Sequence, residues 1–182
     1  MKVLIASPEL YPFVKTGGLA DVTGTLPKVM KNLGIDIRVI LPKYKGIDER
    51  AFPMRYRNQK ISCQVSQAFV EAEIVESQYN GVTAYLVEKD DYYYRDYLFS
   101  TPDGDYLDNA ERFIFFSKSI LEAIKVTGFV PDVLHCNDWE TALVPFFLKT
   151  SYKNDPFFKN IATLLTIHNL GYQGLFWHHD MH

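Results

Sequence analysis

Val3-Leu4-Ile5-Ala6 followed by Lys15-Thr16-Gly17-Gly18-Leu19-Ala20-Asp21-Val22 decides how this chain is read. Four apolar residues in a row, ended by Pro8 and Glu9, signal a fully buried strand. Leu19, Val22, Leu26, Val29, Met30 and Leu33 then recur at three- and four-residue spacing, which predicts an amphipathic helix closed by Gly34. A cation and two glycines therefore sit where a strand turns into a helix. Backbone N–H groups at a helix N-terminus carry partial positive charge and hold anions such as phosphate. Two adjacent glycines let that backbone approach a ligand without a Cβ in the way. The lysine precedes the glycines, so this is not a P-loop. The G-x-G-x-x-G pattern is missing too, and the second strand ends in Leu41-Pro42-Lys43 instead of an acid, so the turn suits a phosphate but not NAD. A glycine-rich connection with a solvated lysine has the same spelling, and position relative to other polar residues must separate the two.

Working outward, Ile35–Leu41 reads as a second buried strand stopped by Pro42. Pro27 falls inside the first helical pattern and predicts a kink or a restart there. Residues 56–65, 68–76 and 82–87 are strand-like, with Asn80-Gly81 as a tight hairpin turn, an antiparallel excursion on a parallel sheet. A polar, tyrosine-rich loop (90–105) leads into a long helix traced by Ala110, Phe113, Ile114, Ser117, Leu121 and Ile124 and ending near Gly128. Asp132–Cys136 is a buried strand, Glu140–Lys149 a helix and Ala162–Ile167 a further strand. The order predicts an α/β, Rossmann-like, doubly wound, mostly parallel sheet in a single domain over residues 1–182.

At 182 residues and 47% hydrophobic content the chain can bury a real core. A net charge of −3 gives no support for nucleic acid or a membrane surface as partner. No stretch approaches the roughly 20 apolar residues of a membrane span, and the N-terminal apolar run is too short for a signal peptide. Two cysteines, Cys63 and Cys136, both in strand-like segments, read as reduced thiols in a cytoplasmic protein.

Three polar clusters share one property. Lys15–Asp21, Asn137-Asp138-Trp139 and His168-Asn169 each lie just beyond the carboxyl end of an expected parallel strand, where open α/β sheets bind ligands. Asp138 also stands where a helix N-cap stands, and the two roles are compatible. His135, inside its strand, and Trp139 read as structural. Tyr92-Tyr93-Tyr94-Arg95 offers rings and a guanidinium to cover a sugar, or else packs on the antiparallel strands. Asp103-Gly104-Asp105 has too few further oxygen ligands to expect a metal, and His178 and His182 lack a third ligand for zinc.

Lys15–Val22, Leu41-Pro42-Lys43-Tyr44, Tyr79–Val82, Tyr94-Arg95, Asn137-Asp138-Trp139 and Thr166–Gly174 together resemble bacterial glycogen synthases and plant starch synthases, in order along the whole chain. The resemblance implies the N-terminal half of a GT-B glycosyltransferase, whose two Rossmann-like domains face a deep cleft. Similar proteins move glucose from ADP-glucose to the non-reducing end of an α-1,4-glucan, retaining anomeric configuration without a metal or other cofactor. Carried to matching positions, it implies that Lys15, Thr16, Gly17 and Gly18 hold the donor diphosphate. Asp138 and His168 would act on the transferred glucose, and Asp21, Tyr94 and Asn169 would line the cleft. The family's C-terminal nucleotide-binding domain has no counterpart here, so the chain reads as an N-terminal part, inactive alone, with that domain as partner. A non-catalytic glucan-binding module and a GT-B enzyme using a UDP-sugar are the alternatives.

Overall fold

A computed structural model describes residues 1–176. Nine strands and four helices follow one another as β1 (Lys2–Ala6), α1 (Gly18–Asn32), β2 (Asp36–Pro42), β3 (Arg55–Val65), β4 (Ala68–Tyr79), β5 (Val82–Glu88), α2 (Asp90–Tyr93), β6 (Ser100–Thr101), β7 (Gly104–Asp105), α3 (Asn109–Thr127), β8 (Val133–Asn137), α4 (Leu143–Lys149) and β9 (Ala162–Thr166). Short 3-10 turns at Trp139–Thr141 and Pro156–Phe158 flank α4. Seven strands form one sheet in the order β3-β4-β5-β2-β1-β8-β9, while β6 and β7 make a separate two-residue hairpin.

The five strands from β5 to β9 in that order are mutually parallel. β3 and β4 add to the far edge as antiparallel neighbours, so β5 serves both the parallel sheet and the excursion. Asn80 (φ 48°) and Gly81 (φ 73°) close the β4–β5 hairpin with two left-handed residues, the geometry that matches strand twist. The chain moves outward from β1 through β2 to β5, then α3 carries it back across to β8 on the other side of β1. Right-handed crossovers place α1 and α3 on opposite faces of the sheet. The order reverses between β1 and β8, which opens a crevice at their carboxyl ends.

The core runs through the middle of the sheet. Leu4, Ile5, Val39, Ile40, Val82 and Leu86 have almost no solvent contact. These are the uninterrupted apolar runs of strands covered on both faces. Both cysteines are free and buried, in β3 and β8, and burial pushes both thiols up, Cys63 to about 11 and Cys136 to about 12. No helix among the described residues is long and apolar enough to cross a membrane.

Two details depart from the sequence reading. α1 runs through Pro27 as one element, with no restart; Leu19, Ala20, Thr23, Gly24 and Pro27 are all buried, so packing holds the helix despite one missing N–H. The expected 140–149 helix begins with the 3-10 turn and is helical only from Leu143. β9 forms as expected, at the sheet edge, with Leu164 50% and Leu165 39% exposed.

Gly24 is where α1 presses hardest on its surroundings. A Cβ there would lie 2.1 Å from the Tyr11 carbonyl oxygen, and backbone cannot rotate aside as a side chain does. Gly24→Ala is therefore expected to destabilise the fold by about 1–3 kcal/mol, as overpacking does, measured as a lower urea midpoint at unchanged m-value.

Candidate functional site

Three loops meet at the crevice. The first leaves β1. Glu9, only 5% exposed, turns its carboxylate onto the start of the Lys15–Gly18 turn. It accepts the Thr16 and Gly17 N–H groups and the Thr16 hydroxyl, the last at 2.9 Å and the Gly17 N–H at 3.3 Å. A protein carboxylate thus already occupies part of the anion cradle that the sequence assigned to Thr16 and Gly17. No side chain caps α1, so the N–H groups of its first turn, from Gly18 onward, point outward as helix N-termini do. Gly17 has an ordinary φ of −144°, and a Cβ on Gly18 would meet nothing within 4 Å. Neither backbone strain nor internal packing requires this glycine pair. Open space outside Gly18 is what an approaching ligand needs. Lys15 Nζ pairs with Asp21 Oδ2 at 2.6 Å, both side chains about half exposed.

The second loop leaves β8. Asn137 is buried, and its amide N–H₂ donates to the Ala6 carbonyl of β1 at 3.1 Å and to His135 O at 3.3 Å. Asp138 follows with φ 57° and ψ −173°, a region that non-glycine residues enter at a cost of about 1–3 kcal/mol. Its N–H is held by Thr166 O at 2.9 Å. The N-cap role is not the one Asp138 plays: its carboxylate makes no cap bond to the following turn and instead accepts the His168 N–H at 2.6 Å.

The third loop leaves β9. His168 Nε2 lies 2.9 Å from Asn137 Oδ1. Because the Asn137 nitrogen is engaged with two carbonyls, its oxygen faces the ring, and Nε2 must carry the proton. That leaves Nδ1 as the acceptor nitrogen in the neutral ring. Asn169 Oδ1 accepts Gly171 N–H at 2.8 Å, a turn role. His135 bonds Thr166 Oγ1 through Nε2 at 2.7 Å; burial, helped by His168, lowers its pKa, so it packs as a strand residue.

The tyrosine-rich loop is only partly a cover. Tyr92 and Tyr93 are buried in the core, and Arg95 pairs with Asp108 at 2.5 Å. Tyr94 alone remains open, at 57% exposure, with Lys45 5.7 Å from its ring centroid. Tyr92 and Tyr93 pack not on the antiparallel strands but against α3 and Tyr44. The anchor is Arg112 on α3, fully buried, which donates to Tyr92 O (2.8 Å), Leu98 O (3.0 Å) and Asn109 Oδ1 (2.6 Å). Trp139 packs edge-on to Phe113 and Phe176 with centroids 5.0 and 5.2 Å apart. Gly174 (φ 61°) lies so close beneath it that a Cβ would sit 2.5 Å from Trp139 Cε3.

Asp103 and Asp105 belong to the exposed β6–β7 hairpin, and no group of three or more metal-ligating side chains occurs among the described residues. Trp177, His178 and His182 lie outside the described residues. Glu9, the bridging role of Asn137 and the buried Glu140 escaped the sequence reading. An acid embedded in the apolar run from Val3 to Val14 was the available signal for Glu9.

A mostly parallel sheet with this switch point defines a doubly wound α/β domain. The chain belongs to the starch synthase catalytic domain family, which it matches over residues 2–182. It is 44% identical over 176 residues to the glycogen synthase of Syntrophotalea carbinolica and 42% identical over 182 residues to that of Thermotoga maritima. Each alignment covers 97% of this chain and 36% of the relative, so the chain spans about a third of their length. The catalytic domain of starch synthase IV from Arabidopsis thaliana, solved bound to ADP and acarbose, superposes with a TM-score of 0.83 at 26% identity, covering 95% of this chain and 34% of that one.

Asn137→Ala removes the group that joins these loops. Each buried partner left unpaired costs about 1–3 kcal/mol, so a loss within that range or above is expected by denaturant unfolding. The His168 ring resonances should broaden at the same time.

Proposed function

We propose that this chain is the N-terminal part of a retaining glucosyltransferase that moves glucose from ADP-glucose to the non-reducing end of an α-1,4-glucan. The observation that carries the reading is that Asn137 and Asp138, after β8, bond both the end of β1 and the His168 loop after β9, in a chain of the starch synthase family whose Lys15–Gly18 turn follows β1. ADP and acarbose, an oligosaccharide analogue, are what the Arabidopsis structure was solved with, and they fit a donor and an acceptor side.

Cleavage of a glucosyl–phosphate bond builds negative charge on the departing diphosphate and positive charge on the sugar ring. The outward N–H groups at the start of α1, with Lys15 exchanged from Asp21 to a phosphate oxygen, stabilise the first. Asp138 lies by the second: one oxygen is fixed by the His168 N–H, and the other is available to the ring. His168 Nδ1 accepts a sugar hydroxyl. Thr16 shapes the turn through Glu9, while Asp21, Tyr94 and Asn169 line the crevice. These residues need no metal for the charge they offset. The two free, buried thiols fit a reducing compartment such as the cytoplasm.

The remaining polypeptide of such an enzyme has a place to attach. β9 is an edge strand with Leu164, Leu165 and Ile167 exposed, and beside it a groove of about 490 Å³ is lined by Pro145, Leu148, Tyr152, Phe158, Ile161 and Thr163. We propose that chain beyond His182 covers this edge and groove, and that the nucleotide-binding domain follows it.

In the whole polypeptide, Lys15→Ala is expected to cost about 10²-fold or more in kcat, the scale of one lost charge-stabilising donor, measured as ADP release from ADP-glucose with glycogen. Activity equal to the unmodified enzyme refutes the role given to Lys15. Leu164→Lys tests the edge: it is expected to be within about 0.5 kcal/mol of neutral in the chain of 182 residues, and to destabilise the whole polypeptide by about 2 kcal/mol or more, as burying an unpaired cation does.

A further inference from the structure

Glu140 is the one acid of the crevice that the chemistry above does not use. It sits in the 3-10 turn directly after Asp138, 6% exposed, and its Oε2 has no hydrogen-bond partner. The Tyr44 hydroxyl, at the end of β2, is likewise buried and unpaired. Glu9 after β1, Asp138 after β8 and Tyr44 after β2 are the titratable groups that act on one another and on Glu140 across these strand ends. From α3 the contact is Ser117, whose hydroxyl donates to the Glu140 carbonyl at 3.3 Å. Arg112 on the same helix is directed at two carbonyls and an amide oxygen. Among the described residues, no lysine, arginine or histidine pairs with Glu140.

Glu9 accepts three donors and Asp138 accepts the His168 N–H, whereas Glu140 Oε2 meets no donor. A third negative charge, buried and without a cation, would be costly. As a neutral acid, Glu140 avoids that charge.

We propose that Glu140 is a positioning residue that works as the neutral acid, steadying the turn that presents Asp138 and His168, and that its ionisation loosens this turn and sets the alkaline limit of the site. Burial, opposed by a hydrogen bond from its own backbone N–H and reinforced by Asp138 and Glu9, raises its carboxyl to about 8. In the unfolded chain the same group titrates near the ordinary value of about 4.3. The folded form therefore keeps its proton longer: stability relative to Glu140→Gln falls as pH rises from that range to about 8, and is level above it.

The link to glucosyl transfer rests on the function proposed above, but the test does not. In the chain of residues 1–182, the side-chain ¹³C resonance of Glu140 and the amide shift of His168 are followed by NMR from pH 5 to 9.5. The Glu140 resonance is expected to titrate with a midpoint near 8, and the His168 amide to move with it. In Glu140→Gln the step at His168 disappears. A Glu140 midpoint below about 6 overturns the proposal in the unaltered protein, as does a His168 step that survives in the variant. Failure of the neutral, isosteric glutamine to fold also counts against it. In the whole enzyme, Glu140→Gln should move the alkaline limb of kcat upward by a pH unit or more with little change in KM. A flat activity profile alongside the NMR step would discard only the link to catalysis.

Discussion

The side chain of Asn137 touches the ends of three parallel strands at once. Its nitrogen holds the Ala6 carbonyl at the end of β1, it belongs to β8, and its oxygen meets the His168 ring just after β9. β1 and β8 lie on either side of the point where the strand order reverses, so their carboxyl ends diverge into separate loops. Without a polar group across that divide, the Ala6 carbonyl would be buried unpaired and the His168 ring would lack its anchor. The strained backbone of Asp138 follows from the same arrangement. Its N–H is committed to Thr166 O while its carboxylate reaches the His168 N–H. Two bonds to the β9 connection compensate for one costly φ/ψ pair.

The anion site on the other side of the divide is built on a similar economy. Glu9 neutralises the inner N–H groups of the turn and leaves the outer ones, at the start of α1, facing open space. This fixes the turn before any ligand arrives, which is what preorganisation requires. It also moves the expected anion position outward, from Thr16 and Gly17 toward Gly18 and the helix axis. Lys15, paired with Asp21 across an exposed surface, gives up little by exchanging partners, because an exposed pair contributes about 0–1 kcal/mol.

The sheet was legible in the sequence because its physics is local and periodic. Val3–Ala6 and Val39–Leu41 are apolar runs that suit a strand covered on both faces, and Asn80-Gly81 specifies its own turn. The loops that carry Lys15, Asp138 and His168 were legible as strand-end segments, because each follows a strand the sequence marks. Glu9, Asn137 and Glu140 were not, because what distinguishes them is which distant backbone group they meet. Asn137 bonds a residue 131 positions away, and no window along the chain contains that information. For Tyr92 and Tyr93 the sequence left cover and packing both open. A polar-looking loop hides them, since Arg112, another fully buried polar group, pulls that loop onto the core.

That last pattern bears on how the crevice keeps its shape. Buried polar side chains, not apolar packing, fix three of its parts: Glu9 the Lys15–Gly18 turn, Asn137 the ends of β1 and β8, and Arg112 the loop that carries Tyr94. A hydrophobic contact tolerates sliding, whereas a buried hydrogen-bonded network has one satisfied arrangement and a steep penalty for the others. The wall near β9 differs, since its outer face rests on exposed leucines instead of a polar network. His168 and Asn169 leave that strand, so their placement depends on β9 staying in register with β8 through five backbone pairs.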